Sequence, residues 1–180
     1  MKTTEKKLHI GPGGTYLPEW TNVDVFSNIK ADLYSSALAL PYDRESFDLV
    51  YASHVLEHFT RHFVMAALTH WRDLLKPGGV LRLAVPNFEA ICVYYTETYD
   101  LPGVMGLLHG GQDSFFNAHQ VSFDEFTLTK ALEQVGFTAV RHWDWRKTDH
   151  ADYDDYSQAY LPGFQKETGL HMSLNLEAVK

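Results

Sequence analysis

The chain has 180 residues, enough for one domain with its own core, and its 45% hydrophobic and 21% charged residues are an ordinary globular balance. A formal charge of −8 argues against a general nucleic-acid binder, which needs basic surface to meet phosphates. No apolar run approaches bilayer length, and the lysine-rich start lacks the apolar core of a secretory signal. Cys92 is the lone cysteine, so neither an internal disulfide nor a cysteine-based zinc site is expected. These observations together predict a cytoplasmic protein with a small-molecule partner and no membrane or nucleic-acid partner.

In chain order, Leu8–Ile10 and Asn22–Val25 read as short strands, with Ile29–Asp32 a weaker one. Between the first two lies "GPGGTYLPEWT", shorter than the dozen residues that usually join parallel strands. Pro12 and Pro18 further limit helix there, so the first helices are predicted to be reduced or missing. "FDLVYAS", Phe47 to Ser53, is a nearly continuous apolar run, the pattern of a strand buried on both faces. Leu56, Phe59, Phe63, Ala67, Trp71, Leu74 and Leu75 then recur at spacings of three and four, a helical stripe. Thr60 is placed to cap the second part of that stripe, leaving Val55–Phe59 as a separate turn. Pro77-Gly78-Gly79 ends the helix, and "VLRLAVP" is the next buried strand.

Residues 87–121 mix aromatics with glycines, with helix expected over Glu89–Thr98; they form a candidate substrate cap. Ser122 and Glu125 suggest a capping box opening a helix that stops at Gly136. "FTAVRHWDW" and "HMSLNLEAV" read as the last two strands, separated by an excursion over 146–170. Its acidic, tyrosine-rich stretch Asp149–Tyr160 has the composition of a solvated loop. The whole is a single α/β domain, a doubly wound, mostly parallel sheet with one antiparallel strand. With its first helices missing, one face near the first three strands should be thinly covered, and exposed apolar surface there favours a homodimer.

"LHIGPGG", "NVDV", "LPYDRESFDLVYASHVLEHF", "LLKPGGVLRLAVPN" and "FTLTKALEQVGFTAV" follow one another in the order seen in class I S-adenosylmethionine-dependent methyltransferases. The chain resembles the compact, type-11-like branch of that family over most of residues 7–141. The resemblance implies a seven-stranded sheet with its last strand antiparallel, and S-adenosylmethionine lying over the carboxyl ends of the first, second and fourth strands. It implies methyl transfer to an oxygen or nitrogen atom of a small polar metabolite, a sugar-containing one included. The sequence also departs from the pattern. His9 holds the usual acidic position and Thr15 the third glycine position. An alternative therefore stands beside the enzyme: a protein of the same fold that binds the cofactor, or has lost it, and acts by association. A nicotinamide-dependent oxidoreductase is disfavoured, because Tyr16 stands where the last glycine of that fingerprint belongs, and Asp24 follows Gly11 too soon.

The cofactor residues expected are Gly11, Pro12, Gly13 and Gly14 in the first turn. Asp24 and Val25 follow at the second strand end, with Asp24 the acceptor for two ribose hydroxyls. Asp32, Leu38 and Leu40 are the adenine-side expectations, although Ser36 fills the position where the family carries an acid. Ser53 and His54 end the buried strand, near where the resemblance places the cofactor methyl. His54 and His119 are the candidate general bases. Asn87, Tyr94, Asn117 and His119 are candidate substrate contacts, with Tyr94, Tyr95 and Phe116 as lid aromatics. The row His54, His58, His62 beside Glu57 invites a metal reading. Helical spacing points Glu57 elsewhere and there is no HExxH pattern, so no metal is expected.

Overall fold

The computed structural model describes residues 5–180; the first four, part of the lysine-rich start, lie outside the described residues. Seven strands form one sheet: β1 (Lys7–Ile10), β2 (Thr21–Asp24), β3 (Leu33–Tyr34), β4 (Phe47–Ser53), β5 (Leu75–Pro86), β6 (Thr138–His142) and β9 (Ser173–Val179). β7 (Tyr160–Leu161) and β8 (Leu170–His171) make a separate small hairpin. The order across the sheet is β3-β2-β1-β4-β5-β9-β6. The first five of these strands run parallel, and β9 is antiparallel to both neighbours. The helices are α1 (Arg61–Leu74), α2 (Phe88–Thr98), α3 (Leu101–His109) and α4 (Glu125–Gln134).

No helix precedes β4 among the described residues, as the short first crossovers predicted. The chain can afford this because β1 and β2 have four residues each. Returning along a strand of that length covers only about 13 Å, which ten extended residues span with slack.

Side chains alternate across the sheet, so each strand feeds two layers. Leu8, Ile10, Val23, Val50, Ala52, Leu81, Leu83, Leu174 and Leu176 face one side and pack on Val64, Leu68 and Trp71 of α1 and Leu128 and Leu132 of α4. Phe63, expected on that stripe, is instead largely exposed. α4 begins later than expected: Asp124, not Ser122, caps it, and the reciprocal partner is Thr127. The strand predicted across "FTAVRHWDW" stops at His142 because Trp143 turns inward and donates from Nε1 to the Leu83 carbonyl at 2.9 Å. Ile29–Asp32 is not a strand; the pairing falls on Leu33–Tyr34 instead.

The opposite face carries buried polar groups: His9, Asn22, Tyr51, Asn175 and Glu177. Two irregular segments cover it. Asn22 fastens the first, the helix-free crossover. Its Oδ1 accepts from the Leu17 amide at 3.0 Å, and its Nδ2 donates to the Leu17 and Trp20 carbonyls at 2.9 and 3.0 Å. The same Oδ1 meets His9 Nδ1 at 3.1 Å. Leu17 and Trp20 then pack with Leu49, Tyr51 and Trp143.

The second cover is the acidic stretch Asp149–Tyr160, which is not the solvated loop its composition suggested. His150, Ser157 and Gln158 are buried. Tyr51 donates to Asp155 at 2.6 Å, and Asn175 Nδ2 to the Ser157 carbonyl at 3.0 Å. The thin coverage that favoured a homodimer is therefore not found on this face: the chain supplies its own cover.

Two outcomes follow for stability. Asn22→Ala strands three buried backbone groups and should cost about 3 kcal/mol or more in urea denaturation, well above a typical substitution. Burial holds His9 neutral, its pKa lowered to about 4, and pushes His150 down as well. The unfolded chain binds protons near pH 6.5 while the folded chain does not, so stability should fall as pH drops from about 6.5 towards 4, by on the order of 3 kcal/mol for His9 alone. Urea midpoints at pH 7 and pH 5, with the His9 ring followed by NMR, check this; a ring titrating near 6.5 in the folded protein overturns it.

Candidate active site

A cavity of ≈ 630 Å³ opens at the carboxyl ends of β1, β2 and β4. This is where parallel α/β sheets bind ligands, because the strands end there and the connecting loops diverge. At one end stand Gly11, Gly13, Asp24 and Val25; Ser36, Ala37 and Leu38 form a side wall. At the other end stand His54, His58 and Asn117, under a roof from Asp113 to Asn117. Phe116 of that roof meets Phe26 edge-on at 5.7 Å. A second, more open depression between α2 and the start of α4, lined by Phe88, Glu89, Cys92 and Phe126, includes none of these groups.

The glycine turn has a definite geometry. Gly11 has φ +67°, and a Cβ there would come within 2.5 Å of Val55 Cγ2, so the missing side chain lets Val55 close on the turn. Gly13 has φ +52°, and around it and Gly14 the space is open. Asp24 is oriented by two backbone amides: Gly13 N–H donates to Oδ2 at 3.2 Å and Phe26 N–H to Oδ1 at 2.9 Å. Each carboxylate oxygen keeps a lone pair for a further donor. Apolar walls, an oriented carboxylate and a side-chain-free glycine turn together fit an adenosyl group with its ribose hydroxyls on Asp24.

Not every expected residue reaches the cavity. Pro12 is buried in the turn and Gly14 faces outward. Asp32 is engaged elsewhere: it accepts from the Asn22 amide at 2.7 Å and from the Tyr16 hydroxyl at 2.8 Å, pinning β2. Leu40 is in the main core, its amide donating to His70 Nε2 at 2.9 Å. Ser53 points to the covered side of its strand end, its Oγ buried without a partner. Asn87 caps α2 by accepting from Glu89 and Ala90 amides. Tyr94 packs with Val104 and Met172, and its hydroxyl bonds Asp100 at 3.2 Å. Tyr95 pairs with Tyr99 at the surface. Only Phe116 of the three lid aromatics lines the cavity.

The histidine row resolves differently from its helical reading. Leu56–His58 is a 3-10 turn, in which residues three apart eclipse. Glu57 therefore faces His54, with Oε1 3.4 Å from Nδ1, and is wholly buried. The same oxygen is 3.8 Å from His119 Nε2, and the His58 and His119 rings meet at 4.8 Å between centroids. His62 is exposed on α1 and stands apart. Burial drives the Glu57 carboxyl up to about 8. Burial, aided by neighbouring histidines, drives His54 down to about 3; burial takes His119 to about 4. His54 has φ +52°, unusual for a side-chain-bearing residue, and its Nε2 lies 3.2 Å from Ser173 Oγ. His119 stands behind His58, without lining the cavity. Glu57 is the buried group whose orientation sequence reasoning misread: the chain makes a 3-10 turn at Leu56–His58 and His54 before it has a left-handed backbone.

The sequence profile of a family described as a methyltransferase domain matches residues 8–142. No curated protein sequence matches the chain. Solved structures do. A SAM-dependent methyltransferase of Thermotoga maritima is 15% identical, with TM-score 0.62, over 99% of this chain and 83% of that one. One from Archaeoglobus fulgidus is 16% identical, with TM-score 0.60, covering 98% and 86%. The 1,6-didemethyltoxoflavin-N1-methyltransferase of Burkholderia thailandensis, solved with its substrate and S-adenosylhomocysteine, is 18% identical, with TM-score 0.60, covering 98% and 71%. At such identity the structural likeness speaks for the fold, while the profile covers most of the chain. The chain belongs to the methyltransferase-domain family, as a class I S-adenosylmethionine-dependent methyltransferase.

Proposed function

We propose that the protein methylates an oxygen or nitrogen atom of a small polar metabolite bound at the His54–His58–Asn117 end of the cavity. The observation that carries this reading is the single ≈ 630 Å³ cavity joining the Gly13–Asp24 end to the histidine end beneath the 113–117 roof. A cleft of that size suits a small ligand rather than a polymer. The bound cofactor supplies an electrophilic methyl group on a sulfonium.

The chain's own residues bind, orient and exclude water. Asp24, held by its two amides, accepts from ribose hydroxyls. Val25, Leu38 and Phe59 form dry walls. Phe115 and Phe116 close the roof, so residues 113–117 are the part of the expected cap that serves the substrate. The histidines at the far end are neutral near pH 7, since burial pushes all of them down. Neutral ring nitrogens accept a hydrogen bond from the acceptor's O–H or N–H and orient its lone pair towards the methyl group. A His54 pKa of about 3 makes it a poor free base, so its part here is orientation, with His119 bracing His58 from behind.

Asp24→Asn should weaken adenosylhomocysteine binding by roughly 10- to 100-fold in titration calorimetry, the effect of losing charge-assisted hydrogen bonds. Unchanged affinity sinks the ribose assignment. His54→Ala should lower kcat by about 100-fold while adenosylhomocysteine affinity shifts less than about threefold. Full turnover in this variant, on an acceptor found by metabolite screening, removes the histidine end from the acceptor site.

A further inference from the structure

Glu57 sits in an arrangement its protein neighbours do not complete. Its carboxylate is buried, and neither oxygen has a hydrogen-bond donor. Three histidines surround it, and carbonyl partners of two of them fix which nitrogen carries hydrogen. His58 Nδ1 lies 3.3 Å from the Ala118 carbonyl, and His119 Nδ1 2.9 Å from the Leu107 carbonyl. Carbonyls only accept, so both Nδ1 atoms are protonated and each Nε2 of the neutral rings is a lone pair. His54 packs against the same carboxylate, its Nδ1 3.4 Å from Glu57 Oε1 and its Nε2 3.2 Å from Ser173 Oγ.

The two Glu57 oxygens and the free nitrogens of His58 and His119 thus lie close together, and neither carboxylate oxygen has a hydrogen-bond donor. Four such acceptors without a positive partner are costly in a low-dielectric interior. A single proton on Glu57 satisfies one of the lone pairs; a cation satisfies the set. Ligand atoms of Glu57, His58 and His119 all lie within 4.8 Å of one another. Ligands sharing one tetrahedral zinc ion at about 2.1 Å lie about 3.4 Å apart, so side-chain movements of up to about 0.7 Å each complete the geometry. The backbone carbonyls on the far nitrogens of His58 and His119 are the outer contacts that orient metal-bound imidazoles.

We propose that Glu57, His58 and His119 bind a divalent transition ion of the zinc class. Two imidazoles and one carboxylate favour zinc, cobalt or iron over magnesium or calcium, which take oxygen ligands. His58 lines the cavity, so an open coordination position there faces the acceptor end. On the methyl-transfer reading above, the ion would hold the acceptor's oxygen and lower its pKa. The binding itself does not depend on that reading.

The test uses the full chain, stripped with a chelator and titrated with zinc alone and with cobalt alone. One equivalent of zinc should bind with a Kd below about 1 µM, and cobalt should give visible d–d bands of a low-coordinate nitrogen–oxygen site. Glu57→Gln and His119→Asn should each weaken zinc by about 100-fold or more and abolish the cobalt bands, while His62→Asn on the same chain stretch changes neither. X-ray absorption on the zinc-loaded wild type, which needs no variant to fold, should show imidazole scattering. Absence of saturable binding, absence of imidazole scattering, or affinity that tracks His62 rather than Glu57 and His119 each overturns the site. Adenosylhomocysteine calorimetry on the stripped protein separates the two readings: its retention alongside failed zinc binding leaves methyl transfer standing and removes only the metal.

Discussion

The side chain of Asn22 is the contact on which the rest of the molecule depends. It lies under the sheet, fully buried, and directs its hydrogen bonds to the backbone of Leu17 and Trp20, to His9 and to Asp32. In doing so it fixes a ten-residue crossover where related folds carry a helix. A helix satisfies its own backbone; an irregular loop on a sheet face does not, and needs side chains to do so. The covered face is polar for that reason. Tyr51 and Asn175 repeat the arrangement for the excursion through Asp155–Gln158.

The cavity inherits its shape from that economy. With no helix after β1, Gly11 turns directly under Val55, and the turn cannot accept a side chain at that point. Val55 in turn opens the 3-10 segment that swings Glu57 inward beneath His54. The two ends of the ≈ 630 Å³ cavity therefore meet where Gly11 packs against Val55 and Phe26 against Phe116. Asp24 completes the link, because the amide that orients its Oδ2 belongs to Gly13 of the same turn.

Electrostatically the two ends differ. Asp24 is an anion oriented by amides, suited to hydroxyl donors. The histidine end is rich in acceptors and poor in donors, held neutral by burial. A polar acceptor molecule with an exchangeable hydrogen, or a cation, is what such a place attracts. A net charge of −8 over the whole chain gives a nucleic-acid backbone no comparable welcome.

By itself the sequence determined the sheet, the missing early helices and the family. Those rest on local matters: the apolar run Phe47–Ser53, the three-and-four stripe ending at Pro77-Gly78-Gly79, and the short, proline-bearing span after Ile10. Gly11, Gly13, Asp24, Val25, Leu38, His54 and Asn117 were also legible as residues near a cavity, which they line, since strand ends and glycine turns mark where a ligand can approach. Tertiary structure alone decided the rest. Asp32, Leu40, Asn87 and Tyr94 carry the right chemistry but satisfy neighbouring backbone, core or tyrosine contacts instead, and no spacing rule reveals which partner wins. The acidic stretch 149–160 looked solvated because composition cannot show that Tyr51 and Asn175, distant in sequence, offer it hydrogen bonds. Glu57 looked outward because helical spacing was applied where the chain makes a 3-10 turn after a residue at positive φ, His54.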